Sequence, residues 1–221
     1  MNEALPAVPI ILITSTRTRY AVRTVAAARD RLKYDGRLIW YIAADNSNEQ
    51  HVTHILAELP GEHIAGVHYT TGGYGQTANM AWRKCREALL PVTFWLEDDW
   101  ELQRELDITP AVRLFGQLQH VGCVRYSYLP TGLECDAVGH DYRMYLQIRK
   151  TRPYAFSGNP HLKHERFVFY GDYPEGMNPG DTEIHYDGQI RQRPNEGPSI
   201  WWPLAIGDSP PFRHIGDEKS Y

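Results

Sequence analysis

The chain has 221 residues, a formal net charge of −4 and a hydrophobic fraction of 42%, the size and make-up of one large α/β domain with a full core. No stretch approaches the roughly 20 consecutive apolar residues that span a bilayer, and MNEALPAVPIILI has no basic region ahead of its apolar run, so neither a membrane span nor a signal peptide is expected. Three cysteines, Cys85, Cys123 and Cys135, with no CxxC, argue against a structural zinc and for a reducing, cytoplasmic setting.

Residues 9–14 (PIILIT) read as a buried strand and 20–33 as a helix. Residues 37–44 (RLIWYIAA) form a second strand that ends at Asp45-Asn46-Ser47. Ser47 is the expected N-cap of a helix through Leu59, which Pro60-Gly61 ends. Residues 63–69 make a third strand. The glycine loop Gly72-Gly73-Tyr74-Gly75 opens a helix to about Leu90, which Pro91 stops. Residues 92–96 form a fourth strand. Such alternation predicts a mostly parallel sheet with helices on its faces. Ligands bind such sheets at the carboxyl ends of the strands, where Thr14 to Arg19, Asp45, the glycine loop and Glu97 to Asp99 all fall.

After residue 100 the pattern loosens. A helix over 109–120, a strand over 121–128 and an alternating strand over 140–150 are expected. The Pro-, Gly- and aromatic-rich segment 153–215 has no legible topology. His51/His54 and His161/His164 have HxxH spacing, but neither pair has a third ligand nearby, so surface or helix-face roles are expected. Residues 142–170 interleave Arg143, Arg149, Lys150, Arg152, Lys163 and Arg166 with seven aromatics and one acid, Glu165. That run is either a solvated face or a surface for an anionic, stackable acceptor such as nucleic acid.

Two local patterns carry chemistry. Glu97-Asp98-Asp99 puts three carboxylates at one strand end, where they repel unless a cation lies among them. Hard oxygen ligands suit Mg²⁺ or Mn²⁺, which keep waters and phosphate oxygens as further ligands. Gly73-Tyr74-Gly75-Gln76-Thr77-Ala78 fits GxGxxA, but a dinucleotide fingerprint normally follows the first strand of its unit and this loop follows the third. A tight strand-to-helix turn, with its backbone close to a nucleotide or sugar, is the better expectation.

Taken in order along the chain, these residues resemble glycosyltransferases of the GT-A fold, family 2-like enzymes that use nucleotide-diphosphate sugars. The first strand with TSTRTRYAVRTV resembles the family's opening, with Arg19 fitting best and Arg17 close behind. Asp45-Asn46-Ser47 resembles its acidic turn at the base, and GGYGQTANMAW its glycine-to-asparagine stretch, with Asn79 at the matching position. LEDDW resembles the acid-any-acid motif, with Glu97 in the place usually held by Asp and Asp99 last. Ser157-Gly158-Asn159 resembles the glycine loop near the sugar. Gly180-Asp181-Thr182-Glu183-Ile184 resembles the segment carrying the catalytic base, with Gly180 replacing its Glu. Phe212-Arg213-His214-Ile215-Gly216 resembles the C-terminal histidine element of the metal shell.

The resemblance implies a single GT-A-like, Rossmann-like domain over 1–221. Residues 8–125 would bind the nucleotide sugar, and an irregular half, 126–221, would bind the acceptor. It implies Asp181 as general base with Glu183 as runner-up, and a donor site of Thr14, Arg17, Arg19, Asp45, Gly73, Asn79, Glu97, Asp98 and Gly158. Asp99 and His214, helped by Glu97, would hold Mn²⁺ or Mg²⁺. The expected reaction is inverting transfer from a UDP-type sugar to a hydroxyl. Residues 142–170 make a hydroxylated pyrimidine in phage DNA one candidate acceptor. A nucleotidyltransferase using Arg17 and Arg19 as a phosphate turn, and a non-enzymatic nucleotide- or nucleic-acid-binding module, are the competing readings.

Overall fold

The computed structural model describes residues 4–127, 132–158, 160–203 and 209–216. Thirteen strands and five α-helices follow one another along them. The first half contains β1 (Val8–Thr14), α1 (Thr18–Arg31), β2 (Leu32–Lys33), β3 (Leu38–Asp45), α2 (Glu49–Ala57), β4 (Ile64–Thr70), α3 (Gly73–Glu87) and β5 (Val92–Glu97). There follow β6 (Trp100–Leu102), β7 (Leu106–Asp107), α4 (Thr109–Gln117), β8 (Val121–Arg125), β9 (Cys135–His140) and β10 (Arg143–Ile148). The last are β11 (His161–His164), a 3₁₀ turn at Glu165–Tyr170, α5 (Pro179–Arg191), β12 (Ser199–Trp202) and β13 (Phe212–His214).

Nine strands form one sheet in the order β4-β3-β1-β5-β11-β8-β12-β10-β9. The block β4-β3-β1-β5 is parallel, as the alternation of strand and helix predicts. Beyond it the sheet is mixed: β11 runs antiparallel between β5 and β8, and β12 runs parallel to β8. The second half of the chain therefore extends the first half's sheet. β1 is buried at all seven positions because helices cover both of its faces. Val8, Ile10 and Leu12 pack on one face with α1 and α4, and Ile11 and Ile13 on the other with α3 and α5.

Several boundaries depart from the sequence expectations for local reasons. Asn48, not Ser47, caps α2 by accepting from the His51 N–H at 2.8 Å, while the Ser47 hydroxyl donates to the Ser15 carbonyl. α3 ends at Glu87, ahead of Pro91, and Leu89 takes a left-handed φ of 57° just past its end. α4 stops at Gln117. The strand expected over 121–128 runs only to Arg125, and residue 128 lies outside the described residues. The alternating segment near 140–150 is the return arm of a hairpin, with Asp141 and Tyr142 at φ 46° and 60° in its turn. Two positive φ values in a two-residue connection match the right-handed twist of the flanking strands.

The basic and aromatic run 142–170 is mostly structural. Arg149 and Arg152 pair with Asp136 and Glu134. Lys150 is buried and donates to the Tyr170 hydroxyl at 2.6 Å. Arg166 donates to the carbonyls of Leu118, Val121 and Phe115. Lys163 is fully buried, with its ammonium 3.6 Å from the Trp95 ring centre and 3.8 Å from that of Trp82, and burial drives its pKa well below the ordinary value. Arg143 alone of the six is exposed without a carboxylate or carbonyl partner among the described residues.

Candidate active site

β1, β3 and β5 end together at one edge of the sheet. There Ile13, Thr14, Ser15, Arg17, Asp45, Tyr74, Glu97, Asp98 and Pro179 line a pocket of about 90 Å³. β5 stops at Glu97 and the chain turns at Asp98 and Asp99 before β6 starts at Trp100. This turn splits the acidic triplet, because side chains beyond a strand end no longer alternate across the sheet.

Asp98 points toward β1. It accepts from the Thr14 hydroxyl at 2.9 Å, the Ser15 N–H at 3.1 Å and Arg17 at 2.5 Å. Burial pushes its pKa up, and Arg17 and the Ser15 and Thr14 donors hold that rise back. The Thr14 oxygen also lies 2.7 Å from Nε2 of buried His51, whose Nδ1 is 2.8 Å from the Thr18 hydroxyl. Since the Thr14 proton goes to Asp98, the imidazole donates through Nε2 and accepts from Thr18. Burial lowers the His51 pKa, against the pull of Asp98.

Asp99 points the other way. Its Oδ2 accepts from Arg17 at 2.5 Å and lies 3.1 Å from His214 Nε2. The far terminus reaches this point because β13 pairs antiparallel with β6, setting His214 opposite Trp100, and the Ile215 N–H donates to the Asp99 carbonyl at 2.8 Å. A Cβ on Gly216 would lie 2.4 Å from Asp99 Oδ2, so glycine permits this approach. Arg17 bridges the two aspartates. Desolvation works to lower its pKa, but Asp98 and Asp99 outweigh it and the net shift is upward.

Asp99 Oδ1 is buried without a hydrogen-bond partner among the described residues. Two ligands at right angles on a cation with bonds of about 2.1 Å sit about 3 Å apart, close to the 3.1 Å between Asp99 Oδ2 and His214 Nε2. Asp99 and His214 thus fit adjacent ligands of Mg²⁺ or Mn²⁺. Among the described residues no three His, Cys, Asp or Glu side chains converge to hold a metal. Glu97, expected as a third ligand, is on the other side of the turn, so waters and phosphate oxygens would have to fill the remaining places of such an ion.

Glu97 belongs to a second cluster. It hydrogen-bonds the hydroxyl of Tyr74 and faces Glu183 of α5. The Gly158 N–H donates to Glu183 Oε1, and Ser157 donates to the same oxygen at 3.3 Å. A Cβ on Gly158 would lie 2.4 Å from Glu183 Oε1 and 2.6 Å from Glu97 Oε1, so the two oxygens are within about 5 Å of each other. Burial, then Glu183 and Asp99, push the Glu97 pKa far up, and burial raises that of Glu183.

The loop 153–158 that meets Glu183 is pinned by buried Asp187. One helical turn on, it accepts from the N–H groups of Tyr154 and Phe156 at 3.0 and 2.9 Å. Asn159 lies outside the described residues.

The other expected site residues divide. Asp45 lines the pocket and accepts from the Gly73 N–H at 3.1 Å, with Gly73 at φ 82°. Gly75 packs where a Cβ would come 1.9 Å from the Pro174 carbonyl. Asn79 does not reach the pocket: it ties α3 to Tyr173 and Glu175 through bonds of 2.8 to 3.0 Å. Arg19 is exposed on the first turn of α1, and Arg17 takes the place at the aspartates. Asp181 is exposed at the start of α5, where its N–H donates to the Asn178 cap at 2.9 Å and its carboxylate accepts from Asn178 Nδ2 at 2.6 Å. Glu183 is the acid of that segment which faces Glu97.

No family model and no curated protein sequence matches the chain. Solved structures do. TarS from S. aureus superposes with a TM-score of 0.62 at 12% identity, over 90% of this chain and 37% of that one. A mannosyltransferase from Pyrobaculum calidifontis, in complex with GDP-Man and Mn²⁺, gives 0.60 at 13% identity over 93% and 59%. GalNAc-T7 with UDP, GalNAc and Mn²⁺ gives 0.55 at 18% identity over 92% and 45%. The chain spans well under two thirds of each of these proteins. At such identities the likeness concerns the fold: a single α/β domain of the GT-A-like type, built on one large mixed sheet.

Proposed function

We propose that the protein is a divalent-metal-dependent glycosyltransferase that moves a sugar from a nucleotide diphosphate, UDP for preference, to an acceptor hydroxyl. The observation that carries this reading is the convergence at one sheet edge of Asp99 with His214, the pocket from Thr14 to Asp45, and the Glu97–Glu183 pair opposite. The neighbours crystallised with UDP, UDP-GlcNAc or GDP-Man have the same fold.

In this reading Asp45 meets the base, and Thr14, Ser15 and Arg17 line the way to the diphosphate. Asp99 and His214 would hold a Mn²⁺ or Mg²⁺ ion, which would supply Lewis-acid stabilisation of the leaving diphosphate. Glu183 takes the proton of the acceptor hydroxyl as its oxygen bonds to the anomeric carbon and the bond to the diphosphate breaks. Direct attack of this kind inverts the anomeric centre. A carboxylate whose pKa burial has raised is a stronger base than an exposed one. Gly158 and Ser157 fix its orientation, which moves the role from Asp181 to Glu183.

The test is a panel of nucleotide sugars screened by thermal shift with and without Mn²⁺, followed by product analysis. Metal-dependent stabilisation by one donor and release of a nucleoside diphosphate are expected. Release of pyrophosphate instead would assign a nucleotidyltransferase.

A further inference from the structure

Two side chains lay claim to one oxygen of Asp99. Its Oδ2 accepts from Arg17 Nη1 at 2.5 Å and lies 3.1 Å from His214 Nε2. All three atoms meet beside Gly216, where a Cβ would lie 2.4 Å from Asp99 Oδ2, 3.0 Å from His214 Nε2 and 3.1 Å from Arg17 Nη1. The other end of the guanidinium, Nη2, holds Asp98 Oδ1 at 2.5 Å. Arg17 therefore sits on the two aspartates as a cation of the protein's own.

A divalent ion bound to Asp99 Oδ2 conflicts with this arrangement. With a bond of about 2.1 Å to that oxygen, the ion would lie within about 4.6 Å of Nη1 whatever its direction, the sum of the bond and the 2.5 Å hydrogen bond. Two cations that close repel by several times the thermal energy, even at the effective dielectric of a partly exposed site. Arg17 is the group with freedom to yield. Asp98 and Asp99 are buried, the Asp99 carbonyl is held by the Ile215 N–H, and β13 sets His214 opposite Trp100. Arg17 stands at the N-cap of α1 without a capping bond from its side chain. That side chain is 44% exposed and already borders the pocket of Thr14, Ser15 and Asp45.

We infer that Arg17 is an internal competitor of the metal: a divalent cation binds by displacing the guanidinium from Asp99, and the displaced guanidinium turns into the neighbouring pocket to meet a phosphate anion. One side chain then couples the two ligands. The ion releases Arg17 for the anion, and an anion that draws Arg17 away opens Asp99 to the ion, so each raises the affinity for the other by the same factor. A salt bridge that only braces the turn would give neither effect. The inference rests on the proposed metal site at Asp99 and His214, and it adds what regulates entry to that site.

Mn²⁺ calorimetry without nucleotide tests the competition on wild type, Arg17→Ala, Arg17→Gln and Asp99→Asn. The dissociation constant should fall about tenfold or more when the guanidinium is removed in Arg17→Ala or Arg17→Gln; an unchanged or weaker affinity in both overturns the inference. Wild type gives a readout that needs no variant to fold. The side-chain N–H signals of Arg17 in ¹⁵N spectra should lose protection from water exchange as diamagnetic Mg²⁺ binds, and Mg²⁺ binding with that protection intact overturns displacement. Pyrophosphate, titrated without metal, tests the second step. It should bind Asp99→Asn more tightly than wild type, and Arg17→Ala added to Asp99→Asn should remove most of the gain; no gain, or one that survives, overturns the anion role. Failure of the metal site itself shows separately, as Mn²⁺ binding that Asp99→Asn leaves intact or as no Mn²⁺ binding by any variant, and it removes this inference as well.

Discussion

Glu183 of α5 and Glu97 at the end of β5 meet across Gly158, their Oε1 atoms within about 5 Å of each other. The contact needs glycine between them, because a methyl group there would lie 2.4 Å and 2.6 Å from the two carboxylates and 2.8 Å from the Tyr74 hydroxyl. Gly158→Ala must therefore push the pair apart. It should lower turnover more than tenfold and cost about 1–3 kcal/mol, the usual penalty for overpacking. Steady-state rates and urea unfolding check both.

The buried carboxyls should also shape stability against pH. Burial raises the pKa of Glu183, so the folded state holds its proton more tightly than the unfolded chain. That contribution is fully present below the unfolded carboxylate pKa and is lost as pH rises through the raised folded value. Glu183→Gln should flatten this fall and raise the melting temperature near neutral pH. Melting curves of wild type and variant from pH 4 to 8 report the difference. Identical slopes would mean that the carboxyl titrates normally.

Arg17 is the cation that the structure itself sets between Asp98 and Asp99. Its loss in Arg17→Ala leaves Asp98 with only its Thr14 and Ser15 donors and Asp99 with only His214. A fully buried pair broken on one side costs about 3–5 kcal/mol; since 44% of the Arg17 side chain is exposed, about 1–3 kcal/mol is expected after allowing for solvent screening. Mn²⁺ should restore more of the melting temperature in Arg17→Ala than it adds to wild type. Added Asp99→Asn should abolish that rescue.

Thr14→Val tests the support beneath the turn. It removes a hydrogen bond to Asp98 and disconnects His51 from it. Leaving a buried carboxylate oxygen with one donor fewer costs about 1–3 kcal/mol, read by denaturant unfolding, and donor affinity should fall with it.

Much of the first half was legible because apolar runs, glycines and prolines mark the parallel strands and their helices, and a parallel sheet fixes which end carries ligands. Asp98, Asp99, Asp45 and Thr14 fell at that end. The split of the triplet was not legible, since it depends on the chain turning at residue 98. The choice of Glu183 over Asp181 was hidden for a related reason. Pro179 and the Asn178 cap start α5 early enough that Asp181 lies in its exposed first turn. The spacing of Glu183 and Asp187, one helical turn apart, was the available signal that both share the inward face. The cations of 142–170 left a solvated face and a binding surface both open, because sequence does not reveal that Asp136, Glu134 and several carbonyls meet them. His51 sits under Thr14 only through the packing of α2 on α1.

The most direct test of the proposed function compares Glu183→Gln with Asp181→Asn for nucleotide-sugar binding with Mn²⁺ and for turnover. Glu183→Gln should bind the donor as wild type does and lose about 10²–10⁴-fold in turnover, the usual worth of a general base, while Asp181→Asn keeps both. Full turnover in Glu183→Gln, or its loss in Asp181→Asn alone, would contradict the assignment of the base.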